Sequence, residues 1–337
     1  MKLEGICPLT TAEALRRAVA IAPEIEAVVG PDGRLTFAEL EQEVSQLRAA
    51  LIASGVGKGD HVGICLGNGT RWLALFLAIG SAGAVTVPVN TRFRLEEMRY
   101  CLGQSRVRLL FLADRVLTND FGAMIRELCP AIGGALPDPA LPDLREIVLL
   151  DGAVPAGATA WEEFVSRATE PAEPRCTPDD VLLMQYTSGT TSFPKGVMLP
   201  HRNMLANAFF ASGRMGLRVA DRYHSARPFF HVAGSTLSIL AALQAVCTLV
   251  TMDRFEPGEA LRLLEAERCT HVSGNDTMAV LLLNHPDLPK RQLVLRGGWA
   301  AAKPTIMRRF MHELGAIEAV STYGMSEGSG SPTRLLA

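Results

Sequence analysis

Long runs of like charge and C-x-x-C cysteine pairs are missing from this chain of 337 residues. Thirty-three basic residues stand against thirty-five acidic ones, and the net charge of −2 is spread without a long run of either sign. That argues against a nucleic-acid partner, because binding to a phosphate backbone shows as a basic patch or stripe. The seven cysteines, at positions 7, 65, 101, 129, 176, 247 and 269, are odd in number and form no C-x-x-C pair. Such spacing speaks against structural zinc and for a reducing, cytoplasmic setting. The N-terminal Met1-Lys-Leu-Glu-Gly5 carries an early acid and meets Pro8 before any apolar core develops, so no signal peptide is expected. No internal repeat or low-complexity tract stands out.

What the chain does have is apolar material. The 48% hydrophobic content and mean hydropathy of +0.18 fit a well-buried, enzyme-like globule of about two domains. Two uncharged stretches, 72–90 and 228–252, approach the length of a membrane span. The first is broken by Gly80, Ser81, Gly83 and Pro88, the second by His231, Gly234, Ser235, Ser238 and Gln244. Each reads as a buried helix followed by a buried strand, so no transmembrane segment is expected.

Thr10-x-x-Glu13 and Thr36-x-x-Glu39 are capping-box patterns that should open helices, with a hairpin around Pro31-Asp-Gly33 between them. The second helix should carry Leu40, Val44, Leu47 and Leu51 on one face and stop near Gly55. From Asp60 onward short apolar runs alternate with helix-like segments. Strands are expected at 61–66, 84–89, 107–112, 146–150, 181–186, 247–251, 270–273, 292–296 and 317–321. Helices should fill 71–81, 95–103, 120–128, 201–213, 235–245, 257–267, 276–284 and 303–314. This interleaving predicts an α/β fold with mostly parallel sheets covered on both faces, and so many strands suggest two sheets. A Pro-, Ala- and Gly-rich stretch, 133–175, reads as a surface connection, which divides the chain into 1–175 and 176–337. In open α/β sheets ligands bind beyond the carboxyl ends of strands, so the loops there are where chemistry is expected.

One such loop is Tyr186-Thr-Ser-Gly-Thr-Thr-Ser-Phe-Pro-Lys-Gly196, with five Ser/Thr hydroxyls, two glycines and one lysine. Short hydroxyls and backbone N–H groups can donate to a polyphosphate, glycines allow close approach, and Lys195 adds a positive charge. A Ser/Gly-rich surface turn would have the same composition. Three further segments end strand-like runs. In Arg227-Pro-Phe-Phe-His-Val-Ala-Gly234, His231 could gate an apolar tunnel or sit satisfied in the core. Gly297-Gly298 beside Trp299 could admit a flat ring or form a tight turn. In Ser321-Thr-Tyr-Gly-Met-Ser-Glu327, Tyr323 offers a face for a base, Ser326 a hydroxyl and Glu327 a hard oxygen for Mg²⁺, or else a solvated carboxylate.

Taken together and in this order, the four segments resemble the motifs of the adenylate-forming superfamily of acyl-CoA synthetases, luciferases and peptide-synthetase adenylation domains. Thr187-Ser-Gly-Thr-Thr-Ser-Phe-Pro-Lys-Gly196 is similar to the phosphate loop of that family, with Ser192 where glycine is usual. Pro228-Phe-Phe-His-Val-Ala-Gly234 matches the aromatic-histidine motif of the acyl pocket. Gly297-Gly298 matches the glycine pair of the acyl and adenine site, and Tyr323-Gly-Met-Ser-Glu327 the adenine and magnesium motif. The N-terminal Gly55-Val-Gly-Lys-Gly-Asp60 and Ala82-Gly-Ala-Val-Thr-Val-Pro-Val-Asn90 agree. The resemblance implies two αβαβα subdomains, with the barrel subdomain and small C-terminal domain largely missing. It assigns Thr187, Ser188, Gly189, Thr190, Thr191 and Lys195 to phosphates, Tyr323 to adenine, Ser326 to phosphate and Glu327 to Mg²⁺. His231, Gly297, Gly298 and Trp299 would line the acyl and adenine site.

The reaction so implied joins a small-molecule carboxylic acid to ATP, giving acyl-AMP and pyrophosphate, and then passes the acyl group to the thiol of coenzyme A. Resemblance to peptide-synthetase adenylation is weaker, since no aspartate stands beside the aromatic-histidine motif to anchor an amino group. The chain stops ten residues after Glu327, before the family's ribose-binding aspartate, hinge and catalytic lysine. Expected consequences are weak or absent thioester formation by this chain alone and bared surface that favours a homodimer. The other reading is an ATP- or acid-binding module completed by a separate chain.

Overall fold

Each Thr-x-x-Glu pattern opens a helix in the computed structural model, which describes residues 3, 5–130, 136–187, 194–329 and 332–333. Glu13 N donates to Thr10 Oγ1 at 3.1 Å while Thr10 N donates to Glu13 Oε2 at 3.2 Å, starting helix Thr11–Ile21. Thr36 and Glu39 repeat the exchange at the start of Phe37–Ala53, which buries Leu40, Val44, Leu47 and Leu51. The helix stops just short of Gly55, whose φ of +76° lies in the left-handed region.

The strands form two large, mostly parallel sheets. One runs in the order Lys195–Pro200, Val181–Thr187, Val85–Pro88, His61–Cys65, Leu109–Leu112, Glu146–Leu149, Thr159–Ala160. Among the described residues its only antiparallel pairing is the hairpin formed by Val181–Thr187 and Lys195–Pro200. The other runs Pro332–Thr333, Val320–Thr322, Gly297–Ala301, His271–Asn275, Arg222–His224, Thr248–Val250, Glu26–Gly30, Gly33–Thr36. Its antiparallel pairings lie at the two edges. The sheets exchange strands along the chain, since the hairpin 26–36 joins the second sheet and 181–200 closes the first.

Helix Thr70–Ser81 packs against both sheets and is buried at every position but Arg71. Each large apolar side chain that it buries, Trp72, Leu73, Phe76, Leu77 and Ile79 among them, contributes about 1.5–3 kcal/mol relative to exposure. The helix lacks a cap of its own at Gly69. Asp32, at the tip of the first hairpin, supplies one: its carboxylate accepts from Thr70 N at 2.8 Å and Arg71 N at 3.1 Å. Both uncharged stretches are therefore helix followed by strand. Among the described residues no helix is long and apolar enough to cross a membrane.

Three expectations need correction. The strand placed at 292–296 lies at Gly297–Ala301, where pairing with His271–Asn275 begins. The glycine pair is thus the start of a strand and not a turn after one. Its physical reason is close packing: a Cβ on Gly298, whose φ is +141°, would fall 1.9 Å from Val272 O on the neighbouring strand. The last parallel strand is Val320–Thr322 rather than 317–321, because Ile317 is exposed beyond the turn at Gly315. The helix at 235–245 starts earlier, at Val232–Gly234, and passes through a π-helical segment, Ser235–Leu240, before Ala241–Ala245.

Candidate functional site

Parallel strands of both sheets deliver their carboxyl ends to one region, as an open α/β architecture requires. Between the sheets lies a cleft of about 560 Å³. Leu66, Gly67 and Asn68 line it after strand His61–Cys65, Asn90 to Arg92 after Val85–Pro88, and Ala226 and Arg227 after Arg222–His224. Asn68 fastens the two sides. Its Nδ2 donates to Arg227 O at 3.0 Å and Met252 O at 3.3 Å, and its Oδ1 accepts from Phe229 N at 2.8 Å. Every polar atom of this buried amide is used, so the segment 227–231 is held in register with the N-terminal sheet.

A smaller cleft of about 180 Å³ opens beside it, lined by Arg227, His231, Leu237, Trp299, Tyr323, Ser326 and their neighbours. Three of the segments singled out in the sequence meet here. His231 comes from the aromatic-histidine segment, Trp299 from the glycine-pair strand, and Tyr323 with Ser326 from the last segment. The cleft has a rim and a floor: Tyr323 is 76% exposed and Met325 56%, whereas Trp299 is 2% and Leu237 4% exposed. Trp299 is held from behind, its Nε1 donating to Tyr223 Oη at 2.6 Å. From the other side the Arg227 guanidinium stands 5.4 Å from the indole ring.

His231 caps the helical segment after it, Nδ1 accepting from Ala233 N at 3.1 Å. Nδ1 is therefore unprotonated, and a neutral ring carries its proton on Nε2. Crowding by protein atoms and the charge of Arg227 both lower the pKa of His231, although one edge of the residue is open to solvent. Phe229, by contrast, is core, packed edge-on to Trp72 with centroids 5.5 Å apart, while Phe230 lines the larger cleft.

Thr187 and Lys195 face each other in register at the end of the hairpin, Thr187 half-buried and Lys195 exposed. Ser188, Gly189, Thr190 and Thr191 lie outside the described residues. The root of that loop is tied to the aromatic-histidine segment, since Gln185 Nε2 donates to Phe230 O at 3.0 Å. Its far side is tied as well: Tyr100 Oη donates to Pro194 O at 3.1 Å. Strand Lys195–Pro200 packs beside the turn Ser326–Gly328, and Asn207, on the helix His201–Met215, donates to Gly328 O at 2.9 Å. Glu327 projects from that turn and is exposed. Gly297 and Gly298 are buried in their strand, where a Cβ on Gly297 would meet His271 Nε2 at 2.9 Å. Close packing within the sheet excludes a side chain at both glycines.

Sequence reasoning gave no role to Arg227, Tyr223 or Asn68. Arg227 stands at the head of the aromatic-histidine segment and could have been noticed as a charge before an apolar run. Tyr223 lies in a three-residue strand with no apolar run, which left that strand itself unforeseen.

A family model described as "AMP-binding enzyme" matches residues 15–334. The 3-[(3aS,4S,7aS)-7a-methyl-1,5-dioxo-octahydro-1H-inden-4-yl]propanoyl:CoA ligase of Mycobacterium tuberculosis is 34% identical over 336 residues, which cover 96% of this chain and 63% of that protein. The medium-chain acyl-CoA ligase ACSF2, mitochondrial, of Danio rerio is 31% identical over 340 residues, 95% of this chain and 56% of the relative. Among solved structures, the anthranilate CoA ligase AuaEII in complex with anthranoyl-AMP superposes with a TM-score of 0.84 at 22% identity, covering 97% of this chain and 62% of that one. The chain spans 51–63% of the length of the curated relatives it matches.

Proposed function

Because the chain belongs to the AMP-binding enzyme family, we propose that it activates a small carboxylic acid with ATP, forming acyl-AMP and pyrophosphate, as the first half of an acyl-CoA ligase reaction. The observation that carries this reading is the meeting of His231, Trp299, Tyr323 and Ser326, drawn from three separate segments, on one cleft.

In the reaction a carboxylate oxygen attacks the α-phosphorus, a P–O bond forms, and the bond to the bridging oxygen breaks to release pyrophosphate. Little covalent work falls to the protein, so positioning and electrostatics supply the rate. Thr187 and Lys195, with Ser188, Gly189, Thr190 and Thr191 between them in sequence, hold the phosphates. Tyr323, exposed at the rim, offers its ring to the adenine, and the Ser326 hydroxyl donates to a phosphate oxygen. Gly297 and Gly298 keep the strand beneath free of side chains. Neutral His231 presents Nε2–H to the acid, and Trp299 closes the floor behind it.

Magnesium fits this arrangement as an ion carried on the nucleotide. Glu327, next to Ser326, is one carboxylate of the kind Mg²⁺ takes together with substrate phosphates and water, and when bound the ion neutralises phosphate charge. Among the described residues no three His, Cys, Asp or Glu side chains are grouped to hold an ion by themselves.

The second half-reaction, transfer of the acyl group to the thiol of coenzyme A, is proposed for the family reaction as a whole. Acid-dependent exchange of labelled pyrophosphate into ATP tests the first half, and a thioester assay with coenzyme A the second. Exchange that rises with added acid supports the reading; no exchange across a panel of aliphatic and aromatic acids sinks it.

A further inference from the structure

Arg227 is the one feature of the small cleft that a plain apolar acid leaves without work. Its side chain lines both clefts, lies over the Trp299 ring, and forms no ion pair among the described residues. Its Nε is buried with no hydrogen-bond partner among them. A largely desolvated guanidinium with no carboxylate costs free energy unless a ligand supplies the missing oxygens. Burial lowers its pKa, in keeping with a charge that lacks its counter-ion.

Depth decides which oxygens. The acid's reacting carboxylate has to meet the nucleotide near the rim, where Tyr323 and Ser326 stand and where the hairpin strand Lys195–Pro200 packs. Arg227 lies over the ring of Trp299, which is 2% exposed and forms the floor, and stands where the two clefts meet. The far end of the acid therefore reaches Arg227. The small cleft, about 180 Å³, has room for a short chain between its rim and Arg227.

Building on the acid-activating reading above, we propose that Arg227 is a specificity-determining residue that binds a second carboxylate at the far end of the substrate, so that the preferred acids are short dicarboxylates. A guanidinium presents paired N–H donors in the geometry a carboxylate accepts, and it does so here in a site partly shielded from water.

The test compares succinate with butyrate, two acids of equal chain length that differ in the second carboxylate. With the full chain at neutral pH, calorimetric titration and pyrophosphate exchange are both read, for the natural protein, Arg227→Met and Arg227→Lys. The proposal expects succinate to be favoured over butyrate by about tenfold or more. Arg227→Met removes that preference and Arg227→Lys retains part of it, with KM for succinate changing more than kcat. Equal affinity of the natural protein for the two acids overturns the proposal whatever the variants do. So does an Arg227→Met protein that keeps the preference, or one that loses AMP affinity while its acid preference stands, which would give Arg227 to a phosphate. If succinate binds in preference but no acid supports exchange, the acid-activating reading fails and the binding role of Arg227 stands. If butyrate supports exchange as well as succinate does, the reverse holds.

Discussion

The indole N–H of Trp299 donates to Tyr223 Oη at 2.6 Å, and that hydroxyl donates in turn to Leu237 O at 3.0 Å in the π-helical segment. Strand, strand and π-turn are thereby locked at the floor of the small cleft, and π-turns recur at functional sites. Burial pushes the Tyr223 phenol up to about 12, so it remains a donor at any working pH. Tyr223→Phe leaves the Trp299 N–H and the Leu237 carbonyl unsatisfied, which should cost about 1–3 kcal/mol in a urea titration. The loosened floor should also lower KM for hexanoate relative to butyrate in the exchange assay. An unchanged denaturation midpoint would mean that the pair does not hold the floor.

Acid should unfold this protein earlier than its carboxylates alone predict. His201 and His224 are both fully buried, and burial lowers each pKa to about 4. The unfolded chain takes up a proton near pH 6.5 that the native state refuses until about pH 4. Their contribution is fully present above pH 6.5 and is lost as the pH falls toward 4, by at most about 3 kcal/mol each. Neither ring nitrogen of His224 has a hydrogen-bond partner among the described residues. His224→Leu should therefore be at least as stable as the natural protein at pH 7.5, and should lose less stability between pH 7 and 5. Midpoints of urea unfolding at each pH check both statements.

Gly298 tolerates no side chain. With φ at +141° and Val272 O only 1.9 Å from an added Cβ, Gly298→Ala must push two paired strands apart directly beneath Trp299. A loss of about 3 kcal/mol or more is expected from strain and overlap together. Calorimetric melting measures it; a melting temperature within 2 °C of the natural protein's would show the strand to be softer than its packing implies.

Most of the architecture was legible because two signals agreed. Capping boxes at Thr10 and Thr36 and apolar runs such as Leu109–Leu112 are local, and they form locally. Arg222–His224 was illegible: three residues, one of them charged, become a central strand only because His271–Asn275 and Thr248–Val250 pair with them from either side. The glycine pair misled for a related reason, since its backbone freedom serves the close approach of Val272 and not a turn. At the site, motif order pointed to His231, Trp299, Tyr323 and Ser326, but depth was invisible. Arg227 acquires its meaning only from lying over Trp299, 72 positions further along the chain.

The most direct test of acid activation follows an oxygen atom. If the acid carboxylate attacks the α-phosphorus of ATP, an acid labelled with ¹⁸O in its carboxylate leaves one labelled oxygen on AMP once hydroxylamine cleaves the acyl-adenylate at its carbonyl carbon. Mass spectrometry of the nucleotide products, with the full chain, ATP and Mg²⁺, should find AMP heavier by one ¹⁸O together with unlabelled pyrophosphate. Unlabelled AMP, or ADP and phosphate as the nucleotide products, would contradict the account.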